Sequence, residues 1–482
     1  MTTVDGLDPD VRRRWADAFV AAGASQCGFC TPGIVLRLAA LATRRQRVDE
    51  AAVRAALLAH LCRCTGWETV VDAACDVLSI DRGQPAATPD GDATPDGDAS
   101  PHPDRDALLT SWRAQLEGPA FQSSGPDAVL GRAGFADDTA PTGAVVAVPD
   151  RDGKLVVGTD VTDARRRAGK VQGRNSTAPL RHPIDVPDGD WALTLRTTWV
   201  EPAYLEPDAS WCTPGGVPAS PLANGGAFGG KRRSPVAADA ARLAASLGVP
   251  VRVVWSREDV VRRGPKRPPV ALGIRADGTG VLRIGRGVLA GRSALDPLDA
   301  ITGRVQAVAP GVAVEIVGVA GPPTSADLRG AGWVEASVAL AALTAMADGR
   351  TGPGTPADVV GPSGGRARVV VADGAVVVDV WAGELLDPVV LRSYCIGAVH
   401  QALGWVRSEG IAVDAAGDVH DLTVRSFGVL PARDTPRVDV TMHRSDRWPV
   451  NGSDAVFAAT AAAAWLADGL PPAWPTRRGS GR

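Results

Sequence analysis

Four cysteines in two tight pairs constrain this chain more than anything else in it. Cys27 and Cys30 lie in SQCGFCTPG (25–33) and Cys62 and Cys64 in HLCRCTGWE (60–68), giving C-x2-C, thirty-one residues, then C-x-C. Two thiols three apart reach one metal from a single turn. Thiols with one residue between them do so only if the chain curls around the metal. The spacer is long enough for a helical hairpin that returns the second pair to the first. Soft thiolates suit either an iron–sulfur cluster or zinc. Zinc sites more often repeat C-x2-C or include histidine, and only His60 lies nearby. A third reading is four buried thiols with no metal.

The text around these pairs is helical. Val11, Trp15 and Phe19 recur at helical spacing over 9–22, and Ile34, Leu38 and Leu41 do so after Pro32. Further helices are expected over 49–60, opened by Asp49, and over 67–80, with Trp67, Val71, Cys75 and Leu78 inward. Each cysteine pair then sits at a turn before a helix, where amide N–H groups can donate to sulfur. Residues 84–106 lose all apolar periodicity to Pro, Gly and Asp, which predicts a linker. Beyond it, strands are expected at 143–149, 154–159, 251–256 and 367–380, with a hairpin about Asp277–Gly278. Helices are expected at 106–117, 236–247, 333–347, 389–408 and 454–467. Ser256 opens a capping box with Asp259 or Glu258. The Arg-rich RRGPKR at 262–267 reads as a solvated turn or partner surface.

With 482 residues the chain can build several cores, and a net charge of −3 gives no footprint for nucleic acid. No apolar run is long enough to span a membrane, and the first residues lack the apolar core of a signal peptide. Seven cysteines, four of them in ligand spacing, predict a reducing, cytoplasmic setting. Cys75, Cys212 and Cys395 read as small buried side chains.

QCGFCTPG followed at this distance by CRCTG resembles the helical [2Fe–2S] domain of the molybdenum hydroxylases, the family of xanthine dehydrogenase, aldehyde oxidase and aerobic carbon monoxide dehydrogenase. The resemblance continues in LEPDAS (205–210), GGAFGGK (225–231), DLRGAGWVEASVAL (327–340), the segment 382–410 and the segment 422–440. It implies an α+β multidomain protein, in which an all-α four-helix [2Fe–2S] domain (1–83) and the linker 84–106 precede mixed α/β molybdopterin-binding-type regions at 107–270 and 271–482. It implies a cluster on Cys27, Cys30, Cys62 and Cys64. A molybdenum–molybdopterin cofactor would be touched by Gln26, by Gly226, Ala227, Phe228 and Gly229, and by Gln401. It implies Arg329 as an active-site arginine and oxidation of a small-molecule aldehyde or N-heterocycle, with electrons leaving singly through the cluster. No flavin or Rossmann text is present. An electron-acceptor subunit carrying FAD, a second iron–sulfur centre, or both, is therefore expected, and a homodimer is compatible with the family.

Three departures qualify the expected chemistry. The family's plant-ferredoxin-like domain has no counterpart in this sequence. Only WCTPGGVPASPLAN separates LEPDAS from GGAFGGK, where the family has a much longer stretch. The family's GxGE turn, whose glutamate is the general base, is here PVNGSDAVFAAT (449–460), so Ser453 takes that position, or Asp454 with a slip of one. Arg232 and Tyr394 also stand where relatives carry Glu and Gln. A general base is worth about 10²–10⁴-fold. Asp454 is therefore the residue on which turnover would depend, and a catalytically degenerate electron-transfer or scaffold subunit is the rival reading.

Overall fold

The computed structural model describes residues 2–477 apart from 45–46, 83–105, 119, 171–177, 289–298 and 373. The chain opens with α1 (Pro9–Ala21), α2 (Thr31–Ala42), α3 (Glu50–Ala56) and α4 (Glu68–Leu78). Asp8 caps α1 by accepting from the Asp10 and Val11 amides, with Pro9 at the first helical position, and Asp49 caps α3 through the Ala52 amide. A 3-10 turn, Leu57–Ala59, ends the third helix short of the expected boundary. The four helices share one core built on Trp15, Phe19, Leu38, Val53, Trp67 and Val71. Val11, which shares the helical spacing of Trp15 and Phe19, is 41% exposed. The residues that α1 buries all lie from its second turn onward, so its first turn faces water. The expected linker falls outside the described residues except for Asp106, which caps the next helix.

The remainder comprises α5 (Ala107–Glu117), α6 (Pro126–Val129), β1 (Val145–Pro149), β2 (Leu155–Gly158), α7 (Val161–Arg167), β3 (Leu193–Arg196) and β4 (Asp208–Cys212). There follow α8 (Val236–Leu247), β5 (Val251–Trp255), α9 (Arg257–Arg263), β6 (Val270–Ile274), β7 (Gly280–Val288), α10 (Asp299–Val308) and β8 (Val312–Ala320). Last come α11 (Trp333–Ala347), β9 (Pro356–Val360), β10 (Arg366–Ala372), β11 (Ala375–Trp381), α12 (Pro388–Arg407), β12 (Arg437–His443) and α13 (Ser453–Ala467). The strands form three four-stranded sheets, ordered β2-β1-β5-β4, β3-β6-β7-β8 and β12-β11-β10-β9. The hairpin about Asp277–Gly278 pairs Ile274 with Gly280, and Ser256 and Asp259 complete the capping box of α9. An N-terminal helical domain followed by mixed sheet regions is the fold class the sequence predicts.

α12 and α13 are buried nearly all round, which marks them as the centre of the large region and not its surface. Trp405, Phe457, Trp465 and Trp474 pack between them, with Trp405 stacked on Phe457 at 5.4 Å.

The segment 262–267 corrects the sequence reading. Lys266 has no exposed surface and Arg267 only 6%. Arg267 donates to Glu335 at 3.0 Å and lies 3.9 Å above the Trp405 ring, while Lys266 Nζ donates to the Val260 and Gly264 carbonyls at 2.9 and 2.6 Å. Burial lowers the Lys266 amine from 10.5 to about 7. Between those two pH values the unfolded chain holds a proton that the folded chain has shed, so stability rises with pH across that window and is flat beyond it. Lys266→Met is expected to remove this rise, read as the difference in urea midpoint between the two proteins from pH 7 upward.

Candidate redox centre and adjoining cavity

The turn before α2 carries Cys27 and Cys30, and the turn before α4 carries Cys62 and Cys64. The thiols close in twos. Cys27 and Cys64 lie 3.7 Å apart, and Cys30 pairs with Cys62, whose sulfur also sits 3.0 Å from the Thr65 hydroxyl. The hydrogen bond from Cys30, then those from Thr65 and neighbouring backbone, hold the Cys62 thiol below its ordinary value. Cys30 and Cys64 are pushed up by their partner thiols and by burial. Among the described residues no three His, Cys, Asp or Glu side chains converge as a single ion would need. Two pairs of thiols suit a binuclear cluster instead. Cys75, Cys212 and Cys395 are buried, as expected.

α12 holds both cysteine turns in place. Ser393, Gly397 and Gln401 follow at intervals of four, on one face of the helix. Gln26 Nε2 donates to the Cys64 carbonyl at 3.1 Å and to the Ser393 carbonyl and hydroxyl at 3.2 and 3.1 Å. Gln401 Nε2 donates to the Arg63 carbonyl at 3.2 Å. Between them the Cys64 carbonyl comes so close to Gly397 that a Cβ there would lie 2.0 Å from it. The Arg63 side chain, 6% exposed, reaches Glu409 just beyond α12 with bonds of 2.6 and 2.7 Å. Gly397 and Glu409 were not singled out from sequence. A glycine inside an otherwise strong helix is the one signal that marked this contact in advance.

A cavity of about 270 Å³ adjoins the quartet, bordered by Gln26, Cys27 and Cys64 but not by Cys30 or Cys62. The loop 225–229 also lines the cavity, starting against Cys27, and in it Ala227 and Phe228 are left-handed at φ 50° and 56°. Gly229 has φ +91°, and a Cβ on it would fall 1.8 Å from the Asp327 carbonyl oxygen. Only glycine fits there. Among the described residues the amides of Gly226, Ala227 and Phe228 have no partner. Three such N–H groups in succession form a concavity for an anion or a metal-bound oxygen. Asn224 ties this loop to the Cys27 carbonyl, and the Tyr394 hydroxyl bonds Gln122.

The cavity's carboxylates are all engaged. Arg329 donates to Asp454 at 2.8 Å, to the Ser453 hydroxyl at 2.5 Å and to Gln401 at 3.4 Å. The structure therefore brings the two expected catalytic residues together, as an ion pair. Glu117, not anticipated from sequence, meets Arg113 at 3.1 Å and accepts from the Gly452 and Ser453 amides at the start of α13 at 3.1 and 2.9 Å. Glu206 pairs with Lys231 at 3.2 Å and Asp327 with Arg233 at 2.6 Å. Gln401 lines a smaller neighbouring cavity, and its amide is taken up by Arg63 and Arg329. The donor set thus suits an iron–sulfur cluster on the four thiols. The amide concavity suits the oxygens of a molybdenum–pterin group, but no carboxylate among the described residues of this wall stands without a cation.

Residues 3–75 match the family model described as a [2Fe-2S] binding domain. Over 77 residues the chain is 34% identical to a probable xanthine dehydrogenase subunit of Bacillus subtilis, covering 16% of this chain and 44% of that protein. Over 61 residues it is 38% identical to the xanthine dehydrogenase iron-sulfur-binding subunit of Escherichia coli O157:H7, covering 12% of this chain and 38% of the other. The match therefore spans less than half the length of either relative. The whole chain superposes on the aldehyde oxidoreductases of Desulfovibrio gigas and Desulfovibrio desulfuricans, with TM-scores of 0.68 and 0.70. In each case 99% of this chain and 91% of the other are covered, at 13% identity. The chain joins a [2Fe–2S] binding domain to an aldehyde-oxidoreductase-like fold. At that identity the likeness establishes the fold and leaves the chemistry of the cavity to its own residues. Among the described residues no helix is long and apolar enough to cross a membrane.

Proposed function

We propose that this chain is an iron–sulfur electron-transfer unit, in which the molybdenum-hydroxylase fold seats a [2Fe–2S] cluster beside a cavity that has lost its general base. The observation that carries this reading is the grip of Arg329 on both Asp454 and Ser453. A base must be free to accept a proton from a positioned group. Asp454 instead neutralises a guanidinium that is 10% exposed, and a serine hydroxyl accepting from that guanidinium cannot replace it. Cys27, Cys30, Cys62 and Cys64 would hold the cluster, which supplies one-electron transfer when bound. Cys27 and Cys64 border the cavity, whereas Cys30 lies beside Phe29, which is 43% exposed. This arrangement offers one side of the centre to the cavity and the other to an electron-acceptor subunit bearing flavin or a further iron–sulfur centre. Two matched relatives named as subunits support that organisation.

The second reading, a hydroxylase acting on an aldehyde or N-heterocycle, is favoured by the unpartnered amides of Gly226, Ala227 and Phe228. Metal analysis with an electronic spectrum separates the two. Iron with acid-labile sulfide, no stoichiometric molybdenum and no aldehyde-dependent dye reduction is the expected result. Stoichiometric molybdenum with turnover that Asp454→Asn abolishes would establish the hydroxylase. Zinc alone would remove both readings.

A further inference from the structure

The C-x-C spacing leaves one residue, Arg63, between two thiols, and its side chain and carbonyl both find partners outside the helical domain. The guanidinium bonds Glu409 twice and the Pro202 carbonyl at 3.0 Å. The carbonyl accepts from Gln401 Nε2 at 3.2 Å, and the other end of that amide accepts from Arg329 Nη1 at 3.4 Å. The amide has only one workable orientation, since a carbonyl can only accept and a guanidinium can only donate. Arg329 in turn holds Asp454 and Ser453 on the cavity wall. A continuous line of hydrogen bonds therefore runs from between two thiols to the cavity, and Gln401, 4% exposed, is its middle member.

We propose that Gln401 is a positioning residue that raises the reduction potential of the four-cysteine centre, by keeping Arg329 in register with the turn Cys62–Arg63–Cys64. The inference rests on the reading that this centre carries a [2Fe–2S] cluster. Reduction by an external one-electron donor adds one unit of negative charge and makes or breaks no bond. The Gln401 N–H directed at the Arg63 carbonyl stabilises that added charge, and Arg329, itself paired with Asp454, fixes the orientation of the amide behind it. Hydrogen bonds and net charge near the sulfurs are established controls on such potentials, and a buried chain of bonds polarises along its length.

The test is an EPR-monitored redox titration with dithionite of the full chain and three variants. Gln401→Leu keeps the volume and removes both hydrogen bonds. It is expected to weaken the one-electron reduction about tenfold, or about 59 mV. Gln401→Glu replaces the donor by an acceptor and adds a charge, so its potential is expected to fall further. Arg329→Gln removes the guanidinium that orients the Gln401 amide and leaves Asp454 without its cation, and is expected to lower the potential as well. A packing role alone would change stability without this order. Gln401→Leu and Gln401→Glu within a factor of two of wild type would overturn the proposal. If the leucine variant fails to hold its cluster, an unchanged potential in Arg329→Gln overturns it equally. A wild-type signal with unmoved variants removes only the role of Gln401. Absence of any cluster signal from wild type removes the electron-transfer reading as well.

Discussion

Arg63→Ala is expected to destabilise the folded chain by about 3–5 kcal/mol, the usual cost of stripping the partner from a buried charge. Glu409 would be left with 1% exposure and no cation, inside the contact between the cysteine turn and the end of α12. The same substitution abandons the Pro202 carbonyl. Denaturant midpoints would measure the loss, and cluster content should fall with it. Arg63→Met combined with Glu409→Leu provides the control. Replacing both charges by apolar groups of similar volume is often neutral or better, so the double variant should recover most of the stability. Because it still lacks the arginine, it also shows whether the cluster needs the ion pair or only the packing. A double variant as unstable as Arg63→Ala would show that the ion pair is not the source of the effect.

Gly397→Ala gives the other large effect, and its sign is the informative part. By helix propensity alone, alanine at an interior position of α12 should stabilise by about 1 kcal/mol. The contact says otherwise. A Cβ at 397 would stand 2.0 Å from the Cys64 carbonyl oxygen, which is backbone and cannot rotate away. Overpacking of this kind costs about 1–3 kcal/mol or more, so the net change should be destabilising. The strain falls on the turn that carries Cys62 and Cys64, so iron content should drop more steeply than the melting temperature. A stabilised, fully iron-loaded Gly397→Ala protein would show that the turn does not rest on α12.

What could be read from the sequence follows the range of the forces involved. Asp49 and the pair Ser256–Asp259 announce their helices because a cap needs only its own next three residues. The four thiols could be read for the same local reason, though their division into Cys27 with Cys64 and Cys30 with Cys62 could not. The segment 262–267 reads as a solvated turn or partner surface because Glu335, and the fold-back of Lys266 onto the Val260 and Gly264 carbonyls, are revealed only by the fold. Glu117 escaped notice because its meaning comes from the amides of Gly452 and Ser453, which lie far away in sequence. Arg329 and Asp454 were both named in advance. Their mutual neutralisation was not, and it weakens the chemistry that the family resemblance had suggested.

The dependence of the cysteine turns on α12 has a consequence for biosynthesis. Gln26 and Arg63 emerge from the ribosome more than three hundred residues before Ser393, Gln401 and Glu409, the groups that satisfy them. Through most of translation the thiols therefore sit on turns whose polar anchors are still bound to water. Final ordering of the cysteine turns must await synthesis through Glu409, and a nascent chain halted before Ser393 would leave Gln26 and Arg63 without these partners.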